Sequence, residues 1–98
     1  MDHTERSSID GAATVVRAVL RQQFPDLRLV AVEIEEGHDA GGDPVLDIMV
    51  VYEPDGGGLD VSRVVAFVRH LRPELSQIGE DRFPVMSYIP ADEYAEPA

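Results

Sequence analysis

Cysteine is absent from the 98-residue chain, which excludes disulfides, thiolate nucleophiles and cysteine-ligated zinc. Lysine, asparagine and tryptophan are missing too, and all eight basic residues are arginine. Alanine, valine, glycine, aspartate and arginine abound, a bias typical of a GC-rich genome that points to a bacterial source. No apolar run approaches the roughly 18 residues that mark a membrane-spanning helix. The N-terminus lacks the charged-then-apolar pattern of a signal peptide, so a cytoplasmic protein is expected. Positive charge is scarce as well. Eight Arg face 19 Asp and Glu, for a formal net charge of −11. A DNA or RNA backbone binder must present a cationic face that releases counterions, and an anionic lipid surface asks the same. Direct nucleic-acid binding and membrane docking are therefore disfavoured.

What remains is a chain that can bury a core, since 44% of its residues are hydrophobic. Its length leaves room for one domain. Residues 1–6 are polar and read as a flexible N-terminus, residues 7–90 as a single domain, and residues 91–98 as an acidic, disordered C-terminal tail.

The first helix is expected from a cap at Ser7 or Ser8. Ile9, Ala12, Ala13, Val16, Val19, Leu20 and Phe24 recur at three- and four-residue steps, and Pro25 ends the run. From residue 27 to 36 the period becomes two, placing Val30, Val32 and Ile34 on one face of a strand and Leu29, Ala31, Glu33 and Glu35 on the other. A Gly-rich connection over 37–44 leads to a second strand over 45–52. There Leu46, Ile48, Val50 and Tyr52 share one face, and Val45, Asp47, Met49 and Val51 the other. The short sequence distance favours an antiparallel hairpin.

Pro54 and the Gly56-Gly57-Gly58 run break the chain again. A second helix follows, with Asp60 as N-cap and Leu59 against Val64 as a hydrophobic staple. Its expected stripe is Val61, Val64, Val65, Val68, Leu71, Leu75 and Ile78, kinked at Pro73 and capped by Gly79. A third strand covers 83–89, with Phe83, Val85 and Ile89 on one face and Met86 and Tyr88 on the other. The expected fold is α+β, a two-layer sandwich of order α-β-β-α-β, with two helices on one face of a small three-stranded sheet.

Chemistry-bearing motifs are few. No H-x-x-x-H spacing supports zinc hydrolysis, and there is neither a P-loop nor a G-x-S-x-G turn. His3, His38 and His70 are dispersed over the tail, the loop and the second helix. Ser87 has no adjacent base. Charge, by contrast, is segregated. Between Arg28 and Arg63 there is no Arg or Lys, and that span holds nine acids from Glu33 to Asp60. The simplest account is a solvated hairpin that keeps the protein soluble. The functional account is a docking surface for a cationic partner. A hard divalent ion could use Glu33, Glu35, Asp43 and Asp47, but no EF-hand spacing is present, and neither a metal nor a cofactor is assigned.

The order of elements resembles the minimal nucleotidyltransferase core, in which a Gly-Ser turn follows the first strand and a Ser-Asp-x-Asp motif opens the second. Val45-Leu46-Asp47-Ile48-Met49-Val50-Val51 is similar to that second strand, with Asp47 matching the second aspartate. Val45 stands at the first aspartate, no Gly-Ser dipeptide exists, and the third strand carries no carboxylate. Two-metal chemistry needs paired carboxylates, so the resemblance implies a catalytically dead relative, not an enzyme. The chain, especially Arg82-Phe83-Pro84-Val85-Met86-Ser87-Tyr88-Ile89, also resembles small acidic bacterial proteins encoded beside an all-helical HEPN-type protein. That class pairs with minimal nucleotidyltransferases in toxin–antitoxin modules. This similarity implies a protein partner.

The expected function is thus a non-catalytic acidic interaction module, antitoxin-like, meeting a basic helical protein. Glu33, Glu35, Asp43 and Asp47 would carry the contact, with Tyr52 or Tyr88 as aromatic anchors. Two alternatives stand beside it. One is a divergent Mg-dependent nucleotidyltransferase built on Asp47. The other is a self-associating module, a homodimer, using an uncovered apolar sheet face of Leu29, Ala31, Met49, Val51 and Met86.

Overall fold

A 22-residue helix, α1 (Asp2–Gln23), opens the chain in the computed structural model, which describes residues 2–54 and 59–95, with side chains from residues 9–54 and 59–94. The Gly56-Gly57-Gly58 break and residues 96–98 of the expected tail lie outside the described residues. The helix starts at Asp2, so the flexible start expected over residues 1–6 is corrected for residues 2–6, residue 1 lying outside the described residues, and the cap expected at Ser7 or Ser8 falls within the helix. Acidic residue types at positions 2 and 5 suit the positive end of a helix, and serine is tolerated within one. Ala12, Val16, Val19 and Leu20 form its buried stripe. The helix closes as expected before Pro25, where Phe24 N–H donates to the Leu20 carbonyl and Leu27 N–H to that of Phe24.

Strands β1 (Arg28–His38) and β2 (Pro44–Glu53) form the antiparallel hairpin. They extend further toward the turn than the Gly-rich composition suggested, so the connection shrinks to residues 39–43. Asp39 organises it, its Oδ1 accepting the N–H groups of Gly41 and Asp43 at 2.9 Å each. Gly42 takes the left-handed backbone (φ +87°) that the turn requires.

The register slips between Leu29 and Ala31. This bulge leaves Val30 half exposed and returns Leu29 to the helix-facing side with Val32 and Ile34. Strict alternation placed Val30 inside and Leu29 outside; one extra residue in the strand reverses that.

Helix α2 (Val61–Gln77) is capped by Asp60, whose carboxylate accepts from Ser62 N–H, Ser62 Oγ–H and Arg63 N–H. It runs unbroken through Pro73. At its end Gly79 (φ +80°) donates to the Ser76 carbonyl, and Glu80 N–H to that of Leu75, the paired bonds of a Schellman cap. The buried face is Phe67, Leu71 and Leu75, not the full expected stripe. Val61 and Val65 are 75% and 73% exposed. Phe67, absent from that stripe, is fully buried with its ring 6.0 Å from that of Phe24, so the largest side chain sets the helix rotation.

Strand β3 (Phe83–Pro90) pairs with β2 in parallel, giving a mixed sheet of order β1-β2-β3. A parallel partner needs a crossover, and α2 supplies it. A short helix, α3 (Ala91–Ala95), ends the described chain where a disordered tail was expected. The architecture is α+β, with elements in the order α1-β1-β2-α2-β3-α3. One core joins α1 and α2 to Leu46, Ile48 and Val50 of the sheet, with Leu29, Val32, Ile34, Met86 and Tyr88 packed around them. Edge strands are blunted: β1 carries three glutamates and the bulge, and β3 carries Pro84 and Pro90.

Candidate interaction surface

Every second residue of the three strands points away from the helices. On β1 these are Ala31, Glu33 and Glu35; on β2, Val45, Asp47, Met49 and Val51; on β3, Phe83, Val85, Ser87 and Ile89. Register decides which of them meet. Glu35 lies directly across from Asp47, and Glu33 across from Met49, while Asp47 and Met49 adjoin Val85 and Ser87 on the other side. Glu33, Glu35, Asp47, Met49 and Ser87 line a shallow concavity of about 220 Å³. Three of the four expected acids are thereby gathered into one patch.

Gly37 belongs to the same arrangement. The Asp47 carboxylate occupies the space that a Cβ at position 37 would need, so glycine there lets the aspartate lie against β1. No arginine neutralises the patch: among the described residues the only ion pairs are those of Arg82 with Glu36 and Glu80. No group of three His, Asp or Glu among them is arranged to hold a metal ion.

The face is open only in part. Helix α3 crosses back over β2 and β3, and its Tyr94 hydroxyl donates to Glu33 on β1. That bond holds the Tyr94 proton and raises its pKa. Val51 lies on this side and is fully buried, so it is not an accessible contact residue. Leu29 and Met86 point to the helices instead. The apolar face expected for self-association is therefore smaller than the sequence implied, leaving half-buried Ala31 and Met49. Phe83 and Val85, exposed at the β3 edge, add apolar surface that the expected contact residues did not include.

The remaining expected residues sit elsewhere. Asp43 lies at the hairpin end, lining a separate concavity of about 500 Å³ with Asp39, Asp81, Arg82 and Phe83. Tyr52 is half-buried at the far end of β2 on the helix-facing side, opposite Leu29. Tyr88 is no surface anchor. Its ring packs edge-on against Phe24 at 6.4 Å, and its buried hydroxyl has no hydrogen-bond partner among the described residues. Burial pushes its pKa up to about 12.

Sequence reasoning missed one further charged group. Glu80 is buried, and its carboxylate accepts Arg82 Nε–H and Nη2–H at 2.8 Å each and Arg82 N–H at 3.1 Å. Arg82 Nη1 reaches Glu36 on β1 at 3.3 Å. The guanidinium thus ties the turn before β3 to the hairpin, and these carboxylates raise the Arg82 pKa, the Glu80 bond most of all. The signal was the Glu-Asp-Arg triplet between a helix-capping glycine and a strand.

Among the described residues, no helix is long and apolar enough to cross a membrane. In comparison with known proteins, no family model, curated protein or solved structure matches the chain.

Proposed function

We propose that the protein is a non-catalytic acidic interaction module whose open sheet face docks a basic helical protein. The observation that carries this reading is the Glu35–Asp47 pair. Two acidic residues are paired directly across neighbouring strands, with Glu33 beside them and no ion pair to any of the three among the described residues. Like charges directly opposite in a sheet destabilise it. A fold that keeps such a pair on an accessible face carries a cost that a cationic partner would relieve on binding. The flanking Met49 and Val85 offer the apolar contact that charge alone lacks.

The resemblance to proteins encoded beside HEPN-type partners supports an antitoxin-like role. The acidic face would occupy the basic surface on which an RNA-cleaving partner meets phosphate. A cytoplasmic location accompanies this reading.

The test uses a single substitution with opposite consequences for stability and binding. Glu35→Arg replaces a repulsive cross-strand pair by an attractive one, so the fold is expected to gain about 0.2–1 kcal/mol. The same variant should lose the partner. Tagged wild type and E35R are used to capture proteins from host lysate at low and high salt. Retention of a stoichiometric basic protein by wild type, its release by salt and its loss from E35R support the proposal. Equal retention by a folded E35R refutes it.

A further inference from the structure

We propose that the groove between the C-terminal half of α2 and the turn over residues 79–83 binds a small oxyanion, a phosphate monoester or a carboxylate, held by Arg69 and Arg72. The groove has a volume of about 460 Å³, within the roughly 300–1,000 Å³ range of small-molecule sites. Three- and four-residue spacing puts Arg69, Arg72 and Ser76 on one helix face, and all three line it together with Glu80, Asp81 and Arg82.

The charges in this groove are unequally committed. The buried Glu80 carboxylate is engaged by Arg82, and all three side-chain nitrogens of Arg82 are engaged by Glu80 and Glu36. Within the groove lining, the Glu80–Arg82 pair sums to zero charge. Arg69 and Arg72 form no ion pair among the described residues, although the chain carries 19 acids. Among the described residues that line the groove, Asp81 is the one acid besides Glu80. The Arg72 guanidinium lies 5.0 Å over the Phe83 ring, a cation–π contact that restrains the side chain beside the groove. A planar guanidinium fork matches a phosphate or carboxylate through paired hydrogen bonds, and the Ser76 hydroxyl adds a donor beside it. The groove lies on the helix side of the β3 edge, apart from the acidic face, so this inference stands or falls independently of the proposed partner.

Titration of the ¹⁵N-labelled protein with phenyl phosphate, benzoate and phenol tests it, observed at the arginine Nε–H and backbone amide resonances. Saturable shifts at Arg69, Arg72 and residues 79–83 are expected with an anion and not with phenol. The stronger of the two anions identifies the ligand class. The exposed double variant R69Q/R72Q should keep the wild-type spectrum elsewhere and lose about tenfold or more in affinity, while R17Q/R21Q on α1 should bind as wild type. The proposal is overturned by the absence of saturation up to about 10 mM, by equal shifts at Arg17 and Arg21, by comparable binding of phenol, or by undiminished binding to R69Q/R72Q.

Discussion

Replacing Arg82 by alanine withdraws a charged partner from the buried Glu80 carboxylate. The Glu80 side chain is only 4% exposed and that of Arg82 22%. The substitution removes two charge-assisted hydrogen bonds of 2.8 Å and leaves the backbone N–H of residue 82 as the donor from that position. Removing one partner of a buried ion pair costs roughly 3–5 kcal/mol, and the partial exposure of Arg82 places the expected loss near the lower end, about 3 kcal/mol. Against a total stability of roughly 5–15 kcal/mol for a domain of this size, that is a large fraction. At roughly 4–8 °C per kcal/mol, the melting temperature should fall by about 12–24 °C. Urea unfolding followed by circular dichroism gives the free energies, and E80A with the double variant completes the cycle. The double variant removes carboxylate and guanidinium together, so it should be less destabilised than the two single losses predict, with a coupling of about 2–3 kcal/mol. An R82A loss below about 1 kcal/mol, or strict additivity, would refute the view that this pair anchors the turn before β3.

Other substitutions probe the core and the helix cap. Tyr88→Phe deletes a buried hydroxyl that lacks a partner among the described residues while keeping the ring against Phe24. It should stabilise the protein by about 1 kcal/mol, and a loss of stability in thermal melts would show that the hydroxyl is bonded after all. The folded pKa of Tyr88 is pushed up from 10 to about 12, so the unfolded chain ionises there first. Stability should fall as pH rises through that window, and the fall should be shallower in the Phe variant. Asp60 behaves in the opposite sense. The Ser62 hydroxyl, then the Arg63 N–H, lower its pKa, so its stabilising contribution is present above the ordinary carboxylate range and lost as pH falls through the depressed value. Asp60→Asn should preserve the cap and flatten this acid dependence, whereas Asp60→Ala should lower the melting temperature at neutral pH. Identical melting curves for D60A and wild type would count against the cap.

Local signals in this chain were legible wherever a residue acts on its immediate neighbours. Pro25 stops α1, Asp60 caps α2, Gly79 ends it, and alternation over the hairpin marks both strands. The acidity of the hairpin was also plain, because charge counts do not depend on the fold. Errors arose where two residues competed for the same interior. The α2 pattern of valines and leucines fits more than one helix rotation, and only the space beside Phe24 selects the one that buries Phe67. Alternation over β1 likewise contains no mark of the bulge that exchanges Leu29 and Val30.

The sequence by itself therefore determined the α+β class, the element order up to β3, both caps of α2 and the presence of an acidic hairpin, all set by short-range chemistry and composition. Only the tertiary structure decided that β3 joins β2 in parallel, that Glu35 opposes Asp47, that α3 closes one end of the open face through Tyr94, and that Arg69 and Arg72 share a groove with the Glu80–Arg82 pair. The physical reason is distance along the chain. Each of these features joins residues whose meeting depends on strand register and on how the helices pack, and no local preference encodes either.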